Sequence, residues 1–257
     1  MREGHVLTIR IDRPEVRNAL DPQTYHELSL ALDELDADPD LWVGVLTGSG
    51  GQAFSAGRDL KQLASMTNAT EAERMAEAAL WQRTTRLTDR FEFAKPLIAR
   101  LNGSAHGGGL ELALACDIIV AAEHAQLSLP EPRRGLIATA GGVHRLPRQI
   151  GVKAALGYLL TGRAMSARRG YELGLVNQVV PADALDAAVA EWVADILACA
   201  PLAVRSTKQC VMRGLDHPLP VAMQLRYPAE HIRLTSQDSL EGPRAFTEKR
   251  PPRWQGR

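Results

Sequence analysis

Hydrophobic side chains recur along this chain at two alternating spacings, and the alternation predicts strands interleaved with helices. His5–Ile11 (HVLTIRI) alternates loosely and reads as a strand. Tyr25, Leu28, Leu32 and Leu35 then fall on one face at helical spacing, which predicts an amphipathic helix over 22–36. Asp21 is placed to cap that helix, and Pro22 occupies its first turn, where a missing N–H costs nothing. Leu41–Thr47 (LWVGVLT) is a short apolar run ending in Gly48-Ser49-Gly50-Gly51, a buried strand leading into a loop. After a polar helical stretch near 70–92, Pro96–Leu101 repeats the form: apolar strand, then a glycine-rich turn. Leu110–Cys116 predicts a helix, and Ile118–Ala121 and Gln126–Leu129 two further strands. Beyond about residue 151 the pattern is almost wholly helical, with Asp183 expected to cap a helix carrying Leu185, Val189, Val193 and Leu197. The order implies one α/β domain over 1–257, with a core over 1–198 and a helical region over 199–257.

Composition narrows the packing. A chain of 257 residues hides roughly 70–75% of its unfolded surface on folding. With 45% apolar but only 5% aromatic residues, its core must be aliphatic and alanine-rich, which suits helices packed closely on a sheet. Lys+Arg and Asp+Glu balance at 30 each, so the basic excess of a nucleic-acid binder is missing. The one basic cluster, Lys249, Arg250, Arg253 and Arg257, is either a solvated tail or a phosphate contact. Cys116, Cys199 and Cys210 are odd in number and widely spaced, which argues against a disulfide framework and for a reducing compartment. No apolar leader or run of ~18 apolar residues is seen. The expectation is a cytoplasmic protein without membrane partners.

Three segments carry candidate chemistry. In the first, Gly48-x-Gly50-x-x-Ala53 nominally matches a dinucleotide fingerprint. The following Phe54–Gly57 breaks the required helix, and no acid follows at the required spacing before Glu71. Ala53-Phe54-Ser55-Ala56-Gly57 also falls one glycine short of a nucleophile elbow, for which Asp117 and His144 would be the partners; the missing glycine argues against it. His26-Glu27 lacks the second histidine of a zinc-protease motif, and no other metal-binding pattern is present.

The second segment, Asn102-Gly103-Ser104-Ala105-His106-Gly107-Gly108-Gly109-Leu110-Glu111, puts three glycines directly before a helix. Backbone amides there are unshielded and carry the positive end of the helix dipole, which suits an anion or a developing oxyanion. A tight turn for close helix–sheet packing would use the same glycines. Glu111 favours chemistry, since it stands among Leu110, Leu112 and Leu114 where a structural position would be apolar. In the third segment, Leu129-Pro130-Glu131-Pro132, the following proline is expected to hold Glu131 extended at a strand end. An exposed loop acid is the plainer alternative.

These segments together resemble the crotonase (enoyl-CoA hydratase/isomerase) family over essentially the whole chain. The resemblance rests on Arg13–Leu20, Ala53–Leu60, Asn102–Asp117, Pro130-Glu131 with Gly141–Arg148, Gly170–Val180 and Glu241–Arg250, in that order. It implies a ClpP-like, right-handed ββα spiral with C-terminal helices that build trimers or dimers of trimers. It implies an oxyanion hole from the backbone amides of Arg58 and Gly108. It implies coenzyme A contacts from Ala56, Arg58, Asp59, Leu60 and Lys61, and from Phe246 and Lys249, often across a subunit boundary.

Glu111 and Glu131 fall on the two positions that carry catalytic glutamates in family hydratases. The implied activity is therefore hydration of a 2-enoyl-CoA in fatty-acid-type metabolism, with coenzyme A as part of the substrate and no cofactor or metal. The alternatives are a carnitinyl-CoA-type dehydratase, an isomerase, or a non-catalytic coenzyme A- or RNA-binding protein. Two positions depart from the family pattern: Ala138 where proline is common, and His106, which reads better as a supporting histidine than as a third catalyst. Residues 62–92 are expected to cover the acyl pocket.

Overall fold

The computed structural model describes residues 1–257. The strands are β1 (Arg2–Glu3), β2 (Val6–Ile11), β3 (Val43–Gly48), β4 (Ala53–Ser55), β5 (Leu97–Leu101), β6 (Ser104–His106), β7 (Ile118–Ala122), β8 (Gln126–Ser128), β9 (Met165–Ser166) and β10 (Gln178–Val180). They form a six-stranded sheet of order β1-β2-β3-β5-β7-β10 and a four-stranded sheet of order β4-β6-β8-β9. Pairing is parallel except at β1 and β9, which join their sheets antiparallel. Strands β3, β5 and β7 of the first sheet each run into a short strand of the second and then into a helix, so the chain advances as a spiral of ββα turns. Strand β2 instead leads to α1 (Pro22–Ala37) without a short strand, and then come α2 (Leu60–Ser65), α3 (Glu71–Gln82), α4 (Gly108–Leu114) and α5 (Gly142–Ile150).

The predicted helix over 22–36 is α1, and Asp21 caps it by accepting the Thr24 N–H at 2.8 Å. Its apolar face, including Leu28, Leu32 and Leu35, joins Phe54, Leu101, Leu110 and Leu127 in a core of 35 buried side chains. Parallel strands buried on both faces need apolar residues at both phases. Leu46 points into this core, while Val43 and Val45 pack on the opposite face. There they meet α8 (Leu185–Leu197), which follows α6 (Val152–Leu159) and α7 (Ala167–Glu172). The chain ends in α9 (Pro201–Gly214), α10 (Leu219–Ala222), α11 (Pro228–Leu234) and α12 (Asp238–Thr247). No single helix is long and apolar enough to cross a membrane.

Two local expectations are corrected. Asp183 does not cap α8: it lies inside a 3-10 turn (Ala182–Ala184) that runs into the helix, so Ala184 takes the cap position without a side-chain bond. Glu131 does not continue a strand but opens a 3-10 turn over Glu131–Arg134. A proline near the start of a helical turn sacrifices no bonded N–H, so Pro132 is tolerated there.

Candidate active site

The site forms where α4 begins, beside the loop that leaves β4. Gly57 has φ +81, a conformation that favours glycine, and an added Cβ would lie 2.6 Å from His106 O and 2.7 Å from Gly108 N. Glycine there lets the loop after β4 lie against the turn before α4. Gly107, with φ +53, donates its N–H to Ser128 O at 2.9 Å and so ties that turn to β8. Arg58 is held by backbone bonds on both sides: Leu20 N to Gly57 O at 2.8 Å and Asp59 N to Leu20 O at 3.0 Å. The N–H groups of Arg58 and Gly108 themselves donate to nothing in the chain. They stand close together, because a Cβ on Gly108 would lie 3.5 Å from Arg58 N. Two neighbouring, unspent amides at a helix start can stabilise a developing oxyanion.

Glu111 is carried into this site by the first turn of α4 and is 4% exposed. Its Oε1 accepts the Gly142 N–H at 2.9 Å. Burial pushes its carboxyl above the ordinary range, the Gly142 bond opposes that shift, and the charge of Glu131 reinforces it. Glu131 stands across from the α4 turn: a Cβ on Gly107 would lie 3.0 Å from its Oε1. Its Oε2 is buried without a partner. Burial also raises the Glu131 carboxyl, against the pull of its own backbone N–H and of Arg134. The carboxyls are near enough for one charge to hold back ionisation of the other.

Both glutamates line a cavity of about 580 Å³, together with Ala56, Arg58, Leu60 and Gly108. Of the other predicted contacts, Asp59 caps α2 by accepting from Lys61 N and Gln62 N, and also pairs with Arg13 at 3.5 Å. Lys61 is exposed and does not line the cavity. Phe246 (85% exposed) and Lys249 do not line the cavity. His106 lines it and bonds Ser128 Oγ through Nδ1 at 2.8 Å; burial and the nearby Arg134 and Arg17 lower its pKa. Ser55 is fully buried, donates to Asn18 O and accepts from Gly57 N, while Asp117 is bound to Leu97 N and Lys208. No nucleophile elbow is built.

A larger groove of about 810 Å³ lies on the far side of the six-stranded sheet. Its charged side chains are Glu3, Arg10, Arg100 and Asp186, the last two an ion pair at 2.7 Å. It offers no convergent acid and base, so the smaller cavity is the candidate site.

Of the stretch 62–92 expected to cover the acyl pocket, Leu63 and Arg86 line the cavity, though neither was singled out; sequence reasoning missed Tyr25, Arg17 and Arg134. Tyr25 shares the apolar periodicity of α1 and read as core. The arginines lie in polar stretches whose periodicity does not distinguish a cavity wall from solvent.

The enoyl-CoA hydratase/isomerase family model matches residues 1–257. The chain belongs to that family. It is 39% identical over 262 aligned residues to a carnitinyl-CoA dehydratase of Salmonella enteritidis, covering 100% of this chain and 97% of that one. Among solved structures it resembles an enoyl-CoA hydratase from Bacillus anthracis (36% identity, TM-score 0.88) and one from Mycobacterium marinum (39% identity, TM-score 0.88). Each alignment covers 100% of this chain and 98% of the other. The crotonase fold expected from the sequence is the one observed.

Proposed function

We propose that this crotonase-family enzyme is an enoyl-CoA hydratase, adding water across the 2,3 double bond of a 2-enoyl-CoA. The reading rests on two buried glutamates with raised pKa values in one cavity with two unspent amides. Attack of water at Cβ drives charge onto the thioester oxygen, and amides of Arg58 and Gly108 aimed at it would stabilise the enolate-like transition state. Losing one such donor typically costs ~3–4 kcal/mol. Water is a weak nucleophile, so a carboxylate must take its proton while an acid delivers one to Cα.

The two glutamates are unlike in a way that suits this division. Glu111 accepts the Gly142 N–H, which favours its ionised form and fits it as base. Glu131 has an unpartnered, buried Oε2, which favours its protonated form and fits it as the Cα proton donor. The chemistry balances without a cofactor: coenzyme A arrives and leaves with the substrate. Phe246 and Lys249 would reach a coenzyme A from a neighbouring subunit, as in a homotrimer or a dimer of trimers; light scattering gives the mass directly.

Glu111→Gln and Glu131→Gln should each lower turnover of crotonyl-CoA by about 10²–10⁴-fold. Hydration at the wild-type rate by either variant overturns the assignment. Dehydration of a substituted 3-hydroxyacyl-CoA runs the same steps backwards, and the Salmonella relative keeps that reading open. An isomerase would shuttle a proton with one carboxylate, so product free of label in heavy-oxygen water would favour it.

A further inference from the structure

Part of the cavity wall is polar where a hydrocarbon pocket would be apolar. Tyr25 is 7% exposed and lines the cavity, and its hydroxyl makes no hydrogen bond within the chain. A Cβ on Gly108 would lie 3.0 Å from that hydroxyl, so it stands directly beside the paired amides. Its ring is fixed against Trp81, with centroids 5.3 Å apart. Burial, then the charge of Glu111, push its pKa up to about 12, so it remains an O–H donor at any physiological pH.

Arg86 lines the same cavity. Asp89 takes its Nε at 2.7 Å and its Nη2 at 3.2 Å, which orients the guanidinium and leaves Nη1 without a protein partner. Arg86 and Glu111 stand close enough to alter each other's proton affinity and that of Tyr25.

Both donors belong to residues that line the cavity, so an acceptor on a bound ligand can take the bonds that solvent otherwise makes. Of the other lining arginines, Arg58 pairs with Glu77 at 3.3 Å and lies over the face of Trp81 at 5.1 Å with its buried Nε unbonded, while Arg17 and Arg134 stand near His106. Leu136 and Ile137 supply apolar surface, but 46% and 61% exposed they form the rim. A quaternary ammonium would fare poorly here. The Trp81 face already carries Arg58, and the only acids in the lining are Glu111 and Glu131.

We infer that the acyl end of the cavity recognises a carboxylate carried by the acyl chain, held by the Tyr25 hydroxyl and Arg86 Nη1. The substrate class is thus the monothioester of a short dicarboxylic acid, with the second carboxylate bound by one neutral and one charged donor. A charged donor beside a neutral one gives both affinity and selectivity over a methyl end, because the bound methyl displaces solvent from both donors without replacing its bonds. The inference rests on the coenzyme A thioester reading of the site but not on the direction of the reaction.

Saturated thioesters test it without turnover. Calorimetric titration of the intact enzyme with glutaryl-CoA and valeryl-CoA compares a carboxylate with a methyl group on chains of equal carbon number. Glutaryl-CoA should bind about tenfold tighter or more, and Tyr25→Phe and Arg86→Gln should each reduce that ratio several-fold. Equal affinities in the wild type overturn the inference while leaving the thioester site intact. Variants that weaken both ligands equally overturn it too, since that marks a structural role. Binding of neither thioester removes the coenzyme A reading itself, and the inference with it.

Discussion

The amide of Gly142 stands 2.9 Å from Oε1 of Glu111, and α5 begins at that glycine. An added Cβ on Gly142 would lie 2.9 Å from both Ala138 Cβ and Leu129 Cδ1, and 3.1 Å from Glu111 Oε1. The helix start therefore holds the carboxylate, and only glycine allows the approach. With Glu111 as the proposed base, Gly142→Ala should lower kcat for hydration at least tenfold with a smaller change in KM, because it would move that carboxylate rather than the thioester. Steady-state kinetics on crotonyl-CoA make the check; an unchanged kcat would detach Gly142 from the chemistry.

The two raised carboxyl pKa values fix the sign of the pH response. If Glu111 is the base, it must be ionised, so activity falls as pH drops through its raised value. If Glu131 is the acid, it must be protonated, so activity falls as pH rises through its own. The profile of kcat/KM should be a bell displaced above the ordinary value of 4.5, with limbs belonging to the pair rather than to either residue. Removing either carboxyl should abolish one limb.

The same shifts bear on stability. A carboxyl whose folded value lies above its unfolded value contributes stability below the unfolded value and loses it as pH rises through the folded one. At neutral pH both glutamates are thus held against their preference. Glu131→Gln should raise the thermal midpoint at pH 7 while lowering activity, and the gain should shrink towards pH 4. Thermal scans across that range decide it, and a lower midpoint at pH 7 would contradict the burial argument.

How much of this was legible in the chain depends on length scale. Helix α1 carries four apolar positions in register, and Asp21 supplies its cap, so its place could be read. Strands β4 and β6 span three residues each, too few for a period to declare itself, and both were missed. Asp183 failed as a cap because a proline-led 3-10 turn precedes the helix. Glu111 was visible as an acid among leucines. Tyr25 was not, because a phenol at an apolar helical position looks like core until the cavity at its hydroxyl is known. Arg86 depends on Asp89 for its orientation, and a local ion pair reads as solvated surface.

The two amides depend on Gly57. At φ +81 any side chain is strained, and a Cβ would meet the backbone at His106 O and Gly108 N rather than a movable side chain. Gly57→Ala should push the Arg58 loop away from α4 and open the pair. The loss expected is about 10²–10³-fold in kcat, comparable to removing one oxyanion donor. Heat-capacity scans on the same variant separate misfolding from lost catalysis: a folded variant with full activity would mean the amides are not used.

Lys95 lies outside the candidate site, among the residues packed at the end of α1. Its side chain is 2% exposed, and Nζ donates to Leu35 O and Asp38 O, both at 2.5 Å, closing the C-terminal turn of α1. A cation suits the negative end of a helix. Burial, with Arg205 nearby, nevertheless lowers its pKa from 10.5 to about 8. Between those values the unfolded chain holds a proton that the folded chain has released, so stability from this residue rises with pH across that window. Lys95→Met leaves two carbonyls without their donor, which costs about 1–3 kcal/mol for each buried group left unpaired. The wild-type advantage over the variant, measured by urea unfolding, should therefore grow from pH 8 to pH 10. An advantage that stays flat or shrinks would mean the ammonium is as well solvated in the fold as in the unfolded chain.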